Sequence, residues 1–219
     1  MSALVLQLGL AYLLGGIMGG DVARRMSGGV DLRRSGSGNV GASNALRTRG
    51  PVFALAVLLF DVGKGACAVL LIPRLPMPMA ATMAPEVTRC ACGLSVAVGH
   101  CYPLLARFKG GKGVATLAGV FAVLLPLAMP WMVLSFVLVL LLTGYASLSS
   151  VAGAATGLLW VACVSGQGLG SAVGALAAGG TALVVFKHRG NLLRIARGSE
   201  ARFERARLLG NWIDRWRAH

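Results

Sequence analysis

Acidic side chains are scarce in this chain: seven Asp and Glu stand against 21 Lys and Arg in 219 residues, for a formal net charge of +14. So few carboxylates leave little room for an acid-lined metal site or for the acid-rich motifs of phosphatases and CDP-alcohol transferases. Cysteines number five (Cys67, Cys90, Cys92, Cys101, Cys163), and Cys90-x-Cys92 has no second ligand pair nearby, so neither a zinc site nor a disulfide framework is indicated. They read as small packing residues. Charge of either sign is thin, at 13% of residues, while 56% are hydrophobic and the mean hydropathy is +0.74. A soluble core of this size would leave too much apolar surface wet, so the chain reads as a membrane protein.

A helix crossing a hydrocarbon core of about 30 Å needs about 20 mostly apolar residues. That ruler cuts the sequence into seven spans: Leu4 to Ala23, Pro51 to Ile72, Val87 to Leu105, Val114 to Met129, Trp131 to Ala146, Leu148 to Ser165 and Leu169 to Phe186. The fourth and fifth are short, with Pro126 and Pro130 marking a turn between them. No separate signal peptide is expected, because Met1 to Leu4 carries no basic region and GGDVARR closes the first span without a small-residue cleavage site. The expected fold is an all-α polytopic membrane domain over residues 1–201, followed by a basic amphipathic tail over 202–219. The tail's Trp212 and Trp216 suit a helix lying on an anionic leaflet.

The basic residues cluster. Six lie between the first and second spans, three between the third and fourth, and nine from Lys187 onward. By the positive-inside rule these segments are cytoplasmic, the N-terminus lies outside and the C-terminus inside. The rule accounts for the charge, but not for the glycine, serine and asparagine that accompany it in three islands: RRSGSGNVGASNALRTR (Arg33 to Arg49), GHCYPLLARFKGGKGVAT (Gly99 to Thr116) and FKHRGNLLRIARGSEAR (Phe186 to Arg202). Glycine N–H groups can close around phosphate oxygens while Arg and Lys supply charge and donors, so islands on one face describe a polyanion pocket.

Each island has its own content. Gly36-Ser37-Gly38-Asn39-Val40-Gly41 satisfies G-x-G-x-x-G, yet no strand precedes it and Asp61 lies in an apolar span, so a dinucleotide fold is excluded. What remains is a loop with free N–H groups, the polar side chains of Ser37 and Asn39, and Arg47 shortly after. Lys109-Gly110-Gly111-Lys112-Gly113 is not a Walker A loop, since Gly113 stands where Ser or Thr would hold magnesium. It still offers N–H groups, a helix start and two ammonium groups to an anion. A basic turn obeying the positive-inside rule is the plainer alternative. His100 reads as a packed histidine satisfying backbone carbonyls. His188 and Asn191 share a helical face, where the histidine can act as base, proton shuttle or donor to phosphate. Asp61 and Lys64, one turn apart inside the second span, are expected to pair toward the bundle interior. Glu200 is expected to pair with Arg197 or Arg202.

Taken in order, GSGNVGASNALR, DVGKG, GHCYPLLARFKGGKGVAT, YASLSS and FKHRGNLLR followed by GSE resemble the PlsY family of bacterial acyl-phosphate-dependent glycerol-3-phosphate acyltransferases over nearly the whole chain. The resemblance implies transfer of an acyl group from acyl phosphate to the 1-hydroxyl of glycerol 3-phosphate, without cofactor, metal or nucleic acid, at the cytoplasmic face of the bacterial inner membrane. It also implies catalytic roles for Ser37, Arg47, Lys112, His188 and Asn191. Substrate contacts are implied for Gly36, Gly38, Asn39, Asn44, Lys109, Gly110, Gly111, Gly113 and Ser150, and structural support for Asp61, Lys64 and Glu200. The chain departs from the family pattern at Ser43, Tyr102 and Ser199, and in the GGIMGG segment of the first span. No His-x-x-x-x-Asp exists, because positions 105 and 193 are Leu, so the thioester-dependent acyltransferase arrangement is absent. A membrane transporter or binding protein for an organic phosphate is the alternative function.

Overall fold

The structure, a computed structural model, describes residues 3–28, 31–76 and 83–217, with side chains up to residue 213; Trp216 is outside the described side chains. Among the described residues there is no strand. Ten α-helices run in order: α1 (Ala3–Gly16), α2 (Gly19–Ser27), α3 (Ala42–Arg49), α4 (Pro51–Leu70), α5 (Pro85–Cys101), α6 (Val114–Leu124), α7 (Met129–Thr143), α8 (Ala146–Cys163), α9 (Ala172–Ala196) and α10 (Leu208–Arg217). Two helical stretches are long and apolar enough to cross a membrane by length and composition, Pro51–Arg74 and Ala146–Cys163, and the pair α1 and α2 passes that test together.

The expectation of one continuous first helix over Leu4 to Ala23 is corrected: α1 and α2 meet at a bend of 48°. A break inside an apolar segment strands carbonyls on one side and N–H groups on the other, and both must find partners. Lys64 Nζ donates to Gly15 O (3.1 Å) and Ile17 O (2.8 Å), while Asp61 Oδ1 accepts from Gly19 N (3.2 Å). The cation therefore serves the carbonyl end of α1 and the carboxylate the N–H end of α2. Their own ion pair, 2.8 Å long and buried, is the one expected from sequence.

Small residues let helices approach until backbone touches backbone. A Cβ on Gly15 would overlap Val96 O, and one on Gly99 would overlap Tyr12 O, so α1 and α5 cross with a glycine on each side. The same reciprocal pattern joins α4 and α6, where Gly65 lies on Thr116 O and Gly119 on Val62 O. Around these crossings the core gathers Val96, Leu117, Val120, Phe121, Leu176 and Val184, all nearly inaccessible. Outward, α4 exposes Val52 and Leu59, and α7 buries only Met132. An apolar outer surface is what lipid, not water, would cover.

One span in particular is much shorter in helix than its sequence bounds. The fourth, expected over Val114 to Met129, stops as a helix at Leu124, where the Pro126-containing turn begins, and at 1.5 Å per residue α6 is about 16 Å long. By contrast α9 runs on past Phe186 to Ala196, which carries His188 and Asn191 on one continuous helix. Of the cysteines, Cys90, Cys92 and Cys101 are buried, but Cys67 and Cys163 are exposed and fill no core space.

Candidate active site

A cavity of about 1040 Å³ opens between α3, α4, α6, α7, α8 and α9, and residues 199–206 cross beside it. Its two ends differ chemically. One is apolar, formed by Leu117, Phe121, Met129, Met132, Val133 and Phe136. The other collects Ser37, Arg47, Lys112, His188, Asn191 and Arg194, with Glu200 among them. The three islands thus converge on one cavity.

The first island is shaped by Asn44. Its side-chain N–H groups reach Leu32 O (3.0 Å), Ser35 O (2.9 Å) and Asn39 O (2.8 Å), and its carbonyl accepts from Ser37 N (2.9 Å). With its amide bonded to four backbone groups of the loop, Asn44 organises the loop, and it also reaches the cavity wall. Gly36 has φ +57°, and a Cβ there would overlap Asn44 Oδ1, so glycine is needed twice over. The outcome is an exposed Ser37 at the cavity mouth, with Asn39 beside it. A bidentate ion pair from Arg33 to Asp21 (2.6 and 2.9 Å) ties the loop to α2. On α3, Arg47 lies over the Phe203 ring (4.1 Å to its centroid) and donates to Ala201 O (3.1 Å). Burial lowers its pKa, opposed by the charge of Glu200.

In the second island the structure divides the residues. Lys112 and Gly113 line the cavity, whereas Lys109, Gly110 and Gly111 do not, and neither does Gly38 of the first island. Lys109 is exposed. Gly110 and Gly111 are packed on the end of α5: a Cβ at Gly110 would overlap His100 O, one at Gly111 would overlap His100 Nε2, and Gly111 N donates to His100 O (3.0 Å). These two glycines therefore let the loop lie flat on His100, and neither is on the cavity wall. Gly113 takes φ +78° just before α6. Burial pushes the Lys112 ammonium down to about 8, and Arg194, Arg47 and Lys187 act in the same sense against the charge of Glu200.

The third island meets the second through a relay. Lys112 Nζ donates to Asn191 Oδ1 (2.6 Å), Asn191 Nδ2 donates to Glu200 Oε1, and Glu200 also accepts from Arg194 Nε (2.8 Å) and Ser147 Oγ (3.2 Å). Glu200 thus pairs with Arg194 rather than with Arg197 or Arg202. Burial opposes its charge, but the hydrogen bonds from Asn191, Arg194 and Ser147 outweigh that and hold its carboxyl below the usual glutamate range. His188 is buried, with Nδ1 2.8 Å from Val184 O; a carbonyl only accepts, so Nδ1 carries hydrogen and Nε2 is the nitrogen left for the cavity. Ser150 lines the wall but spends its hydroxyl on Ala146 O (2.8 Å).

Sequence reasoning missed three residues. Ser147 and Arg194 hold Glu200, and their signal was the YASLSS and NLLR strings. His100 does not satisfy backbone carbonyls with its ring as expected. Its Nδ1 lies 2.8 Å from Lys64 Nζ, 3.2 Å from Thr116 Oγ1 and 3.6 Å from Asp61 Oδ1, which joins it to the Asp61 and Lys64 pair.

Comparison with known proteins identifies the family and the fold. The glycerol-3-phosphate acyltransferase family model matches residues 5–198. The glycerol-3-phosphate acyltransferase of Geotalea daltonii is 41% identical over 93% of this chain and 99% of its own length, and that of Myxococcus xanthus is 42% identical over 92% and 99%. Two crystal structures of PlsY (YgiH), an integral membrane glycerol 3-phosphate acyltransferase, have the same fold. The glycerol 3-phosphate form superposes with a TM-score of 0.79 at 32% identity, covering 92% of this chain and 96% of that one. For the lysophosphatidic acid form the TM-score is 0.80 at 31% identity, covering 95% and 99%.

Proposed function

The chain belongs to the glycerol-3-phosphate acyltransferase family, and on that premise we propose how its cavity works. The protein is a membrane acyltransferase that acylates glycerol 3-phosphate to lysophosphatidic acid, which sets aside the transporter alternative. The donor is acyl phosphate. Glycerol 3-phosphate places its phosphate against Lys112 and the neighbouring cations, and its 1-hydroxyl faces the acyl carbonyl. The hydroxyl oxygen bonds to the carbonyl carbon, the bond from that carbon to the phosphate oxygen breaks, and the hydroxyl proton passes to His188 or to a phosphate oxygen.

The observation that carries this reading is the polarity of the cavity: a cationic, amide-lined end beside an apolar end fits two anionic heads and one fatty chain. Acyl phosphate is a mixed anhydride with a good leaving group, so positioning and charge suffice, and no covalent acyl-enzyme is required. In this reading Ser37 and Arg47 hold the acyl phosphate and the departing phosphate, Lys112 holds the phosphate of glycerol 3-phosphate, and His188 and Asn191 orient the hydroxyl. Glu200 supports Asn191.

The finer topology is part of the same proposal. Seven membrane passages, α6 and α7 being short ones that meet at the Pro126 turn, put the N-terminus outside and the three islands at the cytoplasmic face of the inner membrane. The segment from residue 202 is a basic surface tail. It is anchored by Phe203 N donating to Gly144 O (2.8 Å) and Arg202 Nε to Tyr145 OH (2.8 Å).

The test is phosphate release from palmitoyl phosphate by the purified protein. Release that requires glycerol 3-phosphate and yields 1-acylglycerol 3-phosphate is the expected result. Equal or faster acylation from acyl-CoA would overturn the donor assignment.

A further inference from the structure

We propose that His100 is a positioning residue for glycerol 3-phosphate: it fixes the height of the loop over Gly110 to Gly113, and thereby the place of the Lys112 ammonium. The inference rests on the reading that Lys112 meets the substrate phosphate. His100 itself sits beneath the loop, 3% exposed, at the last turn of α5.

The loop touches His100 twice. Its main-chain carbonyl accepts from Gly111 N at 3.0 Å, and its ring occupies the space that any side chain at Gly111 would need. Lys112 follows directly, and its ammonium reaches Asn191 Oδ1 at 2.6 Å. A hydrogen bond of that length weakens steeply with displacement, so the floor on which Gly111 rests sets whether Lys112 and Asn191 meet.

The ring is held in turn from the other side. Lys64 has donors only, so its 2.8 Å contact makes Nδ1 the acceptor and leaves the ring hydrogen on Nε2, toward the loop. Thr116 Oγ1, in the first turn of α6, approaches the same Nδ1 at 3.2 Å. Lys64 is fixed by Gly15 O, Ile17 O and Asp61, and Asp61 by the N–H of Gly19. One buried polar cluster therefore joins the break between α1 and α2 to the phosphate-facing loop. An apolar residue at position 100 would remove one of the four acceptors around the three Lys64 N–H groups, leaving Gly15 O, Ile17 O and Asp61, and would take away the ring surface, at the cavity wall, that stops Gly111.

The experiment is steady-state kinetics of the full-length protein in detergent, on monodisperse samples, with glycerol 3-phosphate and palmitoyl phosphate varied separately. His100→Leu is expected to raise the KM for glycerol 3-phosphate about tenfold, with kcat and the KM for palmitoyl phosphate within about threefold of the parent. His100→Asn, whose amide puts an acceptor near the Nδ1 position, is expected to restore the KM to within about threefold. In a Lys112→Ala background, His100→Leu is expected to add less than about twofold, since its effect runs through Lys112. A general packing role would instead lower protein yield, leave the KM of folded protein alone and be additive with Lys112→Ala. An unchanged KM in His100→Leu, or penalties that multiply in the double variant, overturns the inference. Should His100→Leu not fold, Thr116→Val removes one contact to Nδ1; a KM rise of about threefold supports the role and no rise overturns it. Lys112→Ala separates the two levels: an unchanged KM there overturns the underlying reading, whereas a raised KM with a normal His100→Leu overturns this inference alone.

Discussion

Lys112 Nζ lies 2.6 Å from Asn191 Oδ1, and this contact joins the glycine loop ahead of α6 to the last turns of α9. Asn191 spends its other end on Glu200, so one amide sets the positions of a cation and an anion at once. Asn191→Ala should break both. Hydrogen bonds to charged groups contribute about 1.5–3 kcal/mol each, so kcat/KM for glycerol 3-phosphate should fall by at least about tenfold and up to a few hundredfold. Steady-state assays on folded Asn191→Ala check this, and a change below about threefold would remove Asn191 from the working set.

The lowered pKa of Lys112, about 8, gives a pH dependence with a definite sign. Below that value the ammonium is charged and attracts phosphate; above it the charge is lost. The kcat/KM for glycerol 3-phosphate should therefore decline as pH rises through about 8. An acidic limb near the second phosphate pKa of about 6 is expected from the substrate itself. Lys112→Arg, always charged, should abolish the alkaline limb even if its activity is lower. A wild-type profile flat to pH 10 would contradict the assignment.

Much of this was legible in the sequence because it is local. Glycine and charge mark the three islands, the Asp61 and Lys64 spacing announces a one-turn pair, and the 3.6-residue repeat puts His188 and Asn191 on one face. What was not legible depends on distant backbone. Gly111 and Asn44 carry the residue types of substrate contacts, yet one is turned onto the end of α5 and the other is consumed by loop carbonyls, and neither outcome follows from spacing. The broken first helix was hidden for a similar reason. GGIMGG can continue as helix in an apolar run, and only Lys64 and Asp61, more than 40 residues later, provide partners that make the break tolerable. Arg194 was preferred over Arg197 and Arg202 by Glu200 through the turn after α9, whose path the sequence does not state.

Gly111→Ala tests the loop's seat. The added methyl would overlap His100 Nε2, so the loop must rise and carry Lys112 with it. The KM for glycerol 3-phosphate should increase about tenfold, with kcat lowered less, because the loop contributes mainly to ground-state binding. A normal KM in folded protein would mean that the loop position is uncoupled from binding.

Activity should survive EDTA. The two carboxylates at the cavity are already committed, Asp61 to Lys64 at 2.8 Å and Glu200 to Arg194 at 2.8 Å, and recruiting either to a metal would break a pair. Turnover lost in chelator and restored by magnesium or zinc would reveal a ligand set outside these residues.

His188 is expected to orient the substrate hydroxyl, not to take its proton. Its Nδ1 hydrogen is spent on Val184 O, so the ring is fixed and Nε2 alone addresses the cavity. Accepting a proton there would create an imidazolium in a corner that already holds Arg47, Lys112 and Arg194, and like charges in one site disfavour that form. A phosphate oxygen beside the nucleophile is a base of suitable strength near neutral pH and needs no new cation. His188→Gln can keep a hydrogen bond near the Nε2 position but cannot act as a base. It should therefore retain about 1–10% of kcat with the acidic limb of the kcat profile in place, while His188→Ala should lose substantially more. If Gln removes nearly all kcat and the acidic limb disappears with it, His188 is the base. Near-normal kcat in folded His188→Ala would take the α9 histidine out of the reaction altogether.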